Sequence, residues 1–195
     1  MTSAMRLPLI ALSLGTLLAQ SATPPSREVV TIEKLKVQGT RFSAASIQIL
    51  TGLRPGMRID ELAVRKAIAR MLESGLIRSV NYNYESLEDP HRVVLELDIT
   101  DETPLLPASI EIPGVDPEPV WQYLESVDAL FTRELPRTQK ALRFYIRAIT
   151  DYLRTNKRPE SLITIVTGDD TGRPTGIVFL PAGRRTIPAP GAPQN

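Results

Sequence analysis

The order in which hydropathy changes its period between residues 30 and 102 limits this chain more than any single motif does. Val30-Thr31-Ile32-Glu33-Lys34-Leu35-Lys36-Val37-Gln38 reads as a strand and stops at Gly39. Two helical stretches follow. Phe42-Ser43 and Ile59-Asp60 each put an apolar residue just before a capping residue, and Ile47 and Val64 lie five positions beyond the apolar one. That is the spacing of a hydrophobic staple, which sets how a chain enters a helix. Val64, Ala67, Ile68, Met71 and Leu72 then fall at i, i+3, i+4, i+7 and i+8, a single apolar stripe. Gly75 stands where a left-handed residue ends a helix. Val80, Tyr82 and Tyr84 alternate with Asn81 and Asn83, and Val93, Leu95, Leu97 and Ile99 alternate with Glu96 and Asp98. The pattern predicts an α+β unit, β-α-α-β-β, in which a three-stranded sheet is covered on one side by two helices.

Residues 108–180 repeat that order. Ala108-Ser109-Ile110-Glu111-Ile112 reads as a strand, and Asp116-Pro117 opens a helix with Asp as N-cap and Pro at the first helical position. Val115 and Val120 stand in the same staple relation. Leu142, Tyr145, Ile146, Ile149 and Leu153 mark a long helix, and Leu162 to Val166 with Thr175 to Leu180 makes a hairpin across Gly168 to Pro174. The join, Thr103 to Pro107, is short and carries two prolines, so it restricts the angles between the units.

Three segments of the first unit together resemble a POTRA domain, the polypeptide-transport-associated module of outer-membrane assembly factors. They are Val37-Gln38-Gly39, the Thr51-Gly52-Leu53-Arg54-Pro55-Gly56 loop, and Leu72-Glu73-Ser74-Gly75-Leu76-Ile77 followed by Val80. Ile77 stands where the family usually has Phe or Tyr. The second unit has Phe131-Thr132-Arg133-Glu134-Leu135-Pro136 in place of the glycine loop and resembles a divergent POTRA-like domain, the alternative being an unrelated α/β domain with the same order of elements. The resemblance implies tandem POTRA-like units without a barrel, with Gly39, Gly52, Gly56 and Gly75 as structural glycines. It also implies a central third strand, which leaves Val80, Asn81, Tyr82, Asn83 and Tyr84 on an edge able to add a client strand by β-augmentation. Asn81 and Asn83 would flank that client, and proline at Asn81 is expected to remove an open backbone donor. Tyr82 and Tyr84 have a plainer use as core residues under the helices. Lys34 and Lys36 are expected to guard the other edge.

Arg6 precedes the uncharged apolar run Leu7 to Ala19, and small residues follow at Ala19, Ser21 and Ala22. This is the layout of a secretory signal peptide over residues 1–22. As a helix the run spans roughly 20 Å, short of the ~30 Å hydrocarbon core. The expected location is therefore the periplasm, with a partner holding the protein near the outer membrane. The alternative is a single-span divisome-type POTRA protein at the inner membrane. The chain has no cysteine, which excludes disulfides, thiolate catalysis and a lipid-bearing thiol. Residues 181–195 are Pro, Ala, Gly and polar residues with one large apolar side chain, Ile187, a composition expected to be disordered.

Of 23 basic and 22 acidic residues, only one Arg lies in residues 1–22, so the remaining chain is neutral and shows no basic block. That argues against nucleic acid. His91 is the single histidine, and Asp169-Asp170 sits between Gly168 and Gly172 as turn chemistry. No catalytic constellation, cofactor motif or metal-ligand spacing is visible. With no such signal, the POTRA resemblance implies a non-enzymatic interaction scaffold whose partners are outer-membrane protein clients or a β-barrel assembly component, with no small-molecule substrate expected.

Overall fold

The computed structural model describes residues 29–183. Residues 1–22, expected to form a signal peptide, and nearly all of the 181–195 segment lie outside those residues. The first unit runs β1 (Val30–Gln38), α1 (Ala44–Thr51), β2 (Arg58–Ile59), α2 (Glu61–Glu73), β3 (Ile77–Ser86) and β4 (Arg92–Asp101). The second runs β5 (Leu105–Ile110), α3 (Pro117–Val127), β6 (Glu134–Pro136), α4 (Gln139–Thr155), β7 (Leu162–Gly168) and β8 (Pro174–Pro181). Sheet order is β2-β1-β4-β3 in one and β6-β5-β8-β7 in the other, the same topology twice.

Each sheet thus has the three anticipated strands and a short fourth. β2 pairs with only Val30 and Thr31, and β6 with Leu105, Leu106 and Pro107. Segments of two or three residues are too brief to show an alternation, so the helix-to-helix loops conceal them. The second unit also starts earlier than 108. Pro107 lies where β5 hands over from β6 to β8, whose pairing begins at Ala108, so its missing N–H breaks no continuous ladder. At the other end β8 takes in Pro181, and Ala182 N–H donates to the Ser161 carbonyl at 2.8 Å.

Local chemistry sets the helix ends. The Ser43 hydroxyl accepts from Ser46 N–H at 3.0 Å, Asp60 Oδ1 from Ala63 N–H at 2.8 Å, and Asp116 Oδ1 from Glu118 N–H at 3.1 Å. Gly39, Gly52, Gly56 and Gly75 all have positive φ. Two of them also permit close approach. A Cβ on Gly39 would lie 2.4 Å from the Ile99 carbonyl oxygen, and one on Gly75 would lie 2.8 Å from the backbone nitrogen of Ala141.

A one-residue register shift between Ile32 and Lys34 rescues the parity of β1. Ile32 faces Val93, Leu35 faces Leu95 and Val37 faces Leu97, so three residues at odd offsets share the covered face. Against them pack Ile47 of α1 and Val64, Ala67 and Met71 of α2, all buried. In α4 the buried line is Ala141, Tyr145, Ala148, Ile149 and Leu153. Leu142 and Ile146, expected on the stripe, flank it half-buried. The small alanines let α4 approach its neighbours, and larger apolar residues close the sides.

The apolar core continues from one unit into the next. At the seam, Arg41 donates to Glu134 and to the Thr132 hydroxyl, both at 3.2 Å. Beneath them the Tyr145 hydroxyl donates to Asp128 Oδ2 at 2.6 Å, and Leu130 N–H donates to Asp128 Oδ1 at 2.9 Å. Burial, and then the Asp128 carboxylate, push the Tyr145 hydroxyl well above the usual phenol range. Ser74 of the first unit lies close enough to the Tyr145 hydroxyl to offset a little of that rise, but its own buried hydroxyl meets hydrogen-bond geometry with no partner among the described residues.

Candidate functional site

β4 is central and β3 is a free edge of the first sheet. Which β3 groups face outward follows from the ladder. Leu87 N–H donates to the Arg92 carbonyl at 3.2 Å, while Thr31 N–H takes the His91 carbonyl at 2.7 Å, so even positions of β4 serve β3 and odd positions serve β1. Pairing is regular from Ser79 to Ser86, with Asn81 opposite Asp98 and Asn83 opposite Glu96. Antiparallel alternation then commits the backbones of Asn81, Asn83 and Glu85 to β4 and turns those of Val80, Tyr82 and Tyr84 outward. The expectation for Asn81 is corrected. Its side chain is exposed, but its N–H belongs to the ladder, and proline there breaks the sheet instead of blunting the edge.

Side chains alternate the other way. Val80, Tyr82 and Tyr84 point to the helix face, half-buried and packed on the core. The two tyrosine rings meet edge-on with centroids 5.7 Å apart. Their rings pack against the core and their backbones lie on the edge strand. Beside them a cavity of about 380 Å³ opens between the start of α2 and the sheet, lined by Asp60, Glu61, Tyr82, Tyr84, Ser86 and Val93 among others. Arg65, one helical turn beyond Glu61, donates to the Glu61 carboxylate at 2.9 Å and is held protonated by it and then by Tyr82. Burial raises the Tyr84 hydroxyl to about 12, with Tyr82, Glu61 and Asp60 adding to the effect. The site thus offers outward backbone groups, two aromatic edges and an acidic rim with one cation.

The opposite side of the sheet is less open than a bare first strand. β2 pairs with Val30 and Thr31, and Ile32 exchanges hydrogen bonds with Met57 and Gly56. Lys36 does not guard that edge; its ammonium reaches across the outer face to Glu85 at 3.0 Å and is held protonated by it. Asp169 accepts from the Thr171 hydroxyl at 2.6 Å and from Thr171 and Arg173 N–H at 2.9 Å each. Thr171 and Arg173 thereby lower its pKa, as befits a turn anchor. His91 N–H donates to Asp89 in the β3–β4 turn. Among the described residues no three potential metal ligands converge.

No family model and no curated protein sequence matches the chain. Solved structures do. The likeness is to POTRA domains. POTRA1-2 of the periplasmic domain of Omp85 from Anabaena matches 78% of this chain and 95% of its own, at 15% identity and a TM-score of 0.38. Haemophilus influenzae BamA POTRA3-5 matches 84% of this chain and 70% of its own, at 15% identity and a TM-score of 0.37. The N-terminal domain of Omp85 from Thermosynechococcus elongatus matches 78% and 62%, at 18% identity and a TM-score of 0.36.

Proposed function

We propose that the chain is a non-enzymatic periplasmic scaffold that binds extended segments of outer-membrane proteins, or of a partner barrel, by strand addition at β3. The observation that carries this reading is the set of outward backbone groups at Val80, Tyr82 and Tyr84 on a free edge. Main-chain hydrogen bonds supply affinity in such a mode, and the neighbouring tyrosines and cavity supply a preference for side chains. Asn81 and Asn83 add no charge to the open face. The export signal read in residues 1–22 supports the compartment, and no helix among the described residues is long and apolar enough to cross a membrane.

Amide exchange distinguishes this mode from generic apolar contact. Adding a peptide of alternating apolar and polar residues, copied from a barrel strand, should slow exchange at Val80, Tyr82 and Tyr84. Asn81 and Asn83, already bonded to β4, should change little. A peptide that binds without slowing the first three amides would exclude strand addition at this edge.

A further inference from the structure

A second surface lies at the seam. The end of α2 and the first half of α4 enclose a groove of about 360 Å³ lined by Glu73, Gln139, Lys140, Arg143, Phe144 and Arg147. Three of its six residues are cations at i, i+3 and i+7 of one helix, spread over roughly 10 Å of its axis. On the facing helix Lys66 and Arg70 stand at i and i+4 to Glu73 at i+7, so the Glu73 face of α2 is basic as well. All five cations are exposed, and none forms an ion pair among the described residues. By contrast, Arg133 is spanned by Glu118 and Glu125, and Arg158 is held by Glu160. α2 and α3 each begin with an acid in the first turn, which suits the helix dipole; α4 has none there and carries Lys140. Positive charge is therefore concentrated where nothing within the fold uses it.

We propose that this groove docks an acidic polypeptide segment, separately from the β3 edge. Charge complementarity requires carboxylates spaced to meet cations one helical turn apart, and half-buried Phe144 offers an apolar contact between them. Residues 1–27 and 182–195 contain no acidic side chain, so these segments do not supply them. The groove is shallow, with five lining residues from α4 and Glu73 from the end of α2, and its cations run in a line along one helix, an arrangement that suits an extended segment laid along the axis.

The test uses the two-unit protein, a labelled Glu-rich peptide with interspersed Leu, its Gln counterpart, and phosphatidylglycerol vesicles. The Glu peptide should bind at low salt and the Gln peptide should not. Arg143→Glu with Arg147→Glu should weaken binding about tenfold, the loss expected for two exposed ion pairs. Arg54→Glu with Arg58→Glu, which changes net charge equally at exposed sites away from the groove, should leave it unaltered. Glu73→Gln should tighten it by removing the acid from the lining. Equal weakening by both double variants would mean bulk charge alone and overturn the proposal. Vesicle binding lost in Arg143→Glu/Arg147→Glu, with no Glu-peptide binding, would overturn it in favour of a membrane contact.

Discussion

Ser74, Tyr145 and Asp128 form a small buried cluster in which one hydroxyl is satisfied and another is not. A buried hydroxyl without a partner costs about 1 kcal/mol or more, so Ser74→Ala should raise the melting temperature. Tyr145→Phe should do the opposite, removing a charge-assisted bond to Asp128 worth roughly 1.5–3 kcal/mol. Thermal unfolding of the two variants checks both signs. A destabilised Ser74→Ala protein would mean that the hydroxyl is bonded in solution. Little of this could be read from the sequence: packing of α3 on α4 within the second unit brings Asp128 to Tyr145, and only the seam between the units brings Ser74 to them.

At the scale of strands and helices, most of the layout was legible and the registers were not. The caps at Ser43, Asp60 and Asp116 and the apolar stripe of α2 are short-range signals, and the chain obeys them. Glu33 absorbs a register shift that no alternation reveals, and β2 is too short to show one. The direction of each β3 amide depends on which β4 residues it pairs with, so nothing in the sequence around Asn81 shows that its N–H faces β4. The basic face of α4 was spread through the sequence and hidden by a neutral total, although its helical spacing was there to be counted. Two outcomes follow for β3. Asn81→Pro should lower the melting temperature, removing a ladder hydrogen bond and leaving its acceptor on β4 unpaired at a cost of about 1–3 kcal/mol, whereas Ser86→Pro, at the strand end with an outward N–H, should keep the fold and weaken peptide binding. Calorimetry and peptide titration separate them. The second concerns pH. Folding raises Tyr84 from its ordinary 10.0 to about 12, so it favours the neutral ring. The associated stability is complete below pH 10 and lost as pH climbs toward 12. Tyr84→Phe should therefore flatten the fall in melting temperature over that interval.

For the whole molecule, the seam matters more than the join. Gly75 and Gly172 share a positive φ, which costs a residue with Cβ about 1–2 kcal/mol. Only Gly75 also meets backbone from the other unit, since nothing lies within 4 Å of a Cβ on Gly172. Gly75→Val should therefore lower the melting temperature of the two-unit protein more than Gly172→Val. Equal losses would show that the seam yields to a side chain. If it does not yield, neither unit is a cassette. Grafted alone onto another protein, the first unit would carry a glycine turn with no backbone to close against and leave Ser74 open to water. The second would lose the cover over Tyr145. Expressed singly, each unit should melt at a lower temperature than the pair does, because each supplies part of the other's interior.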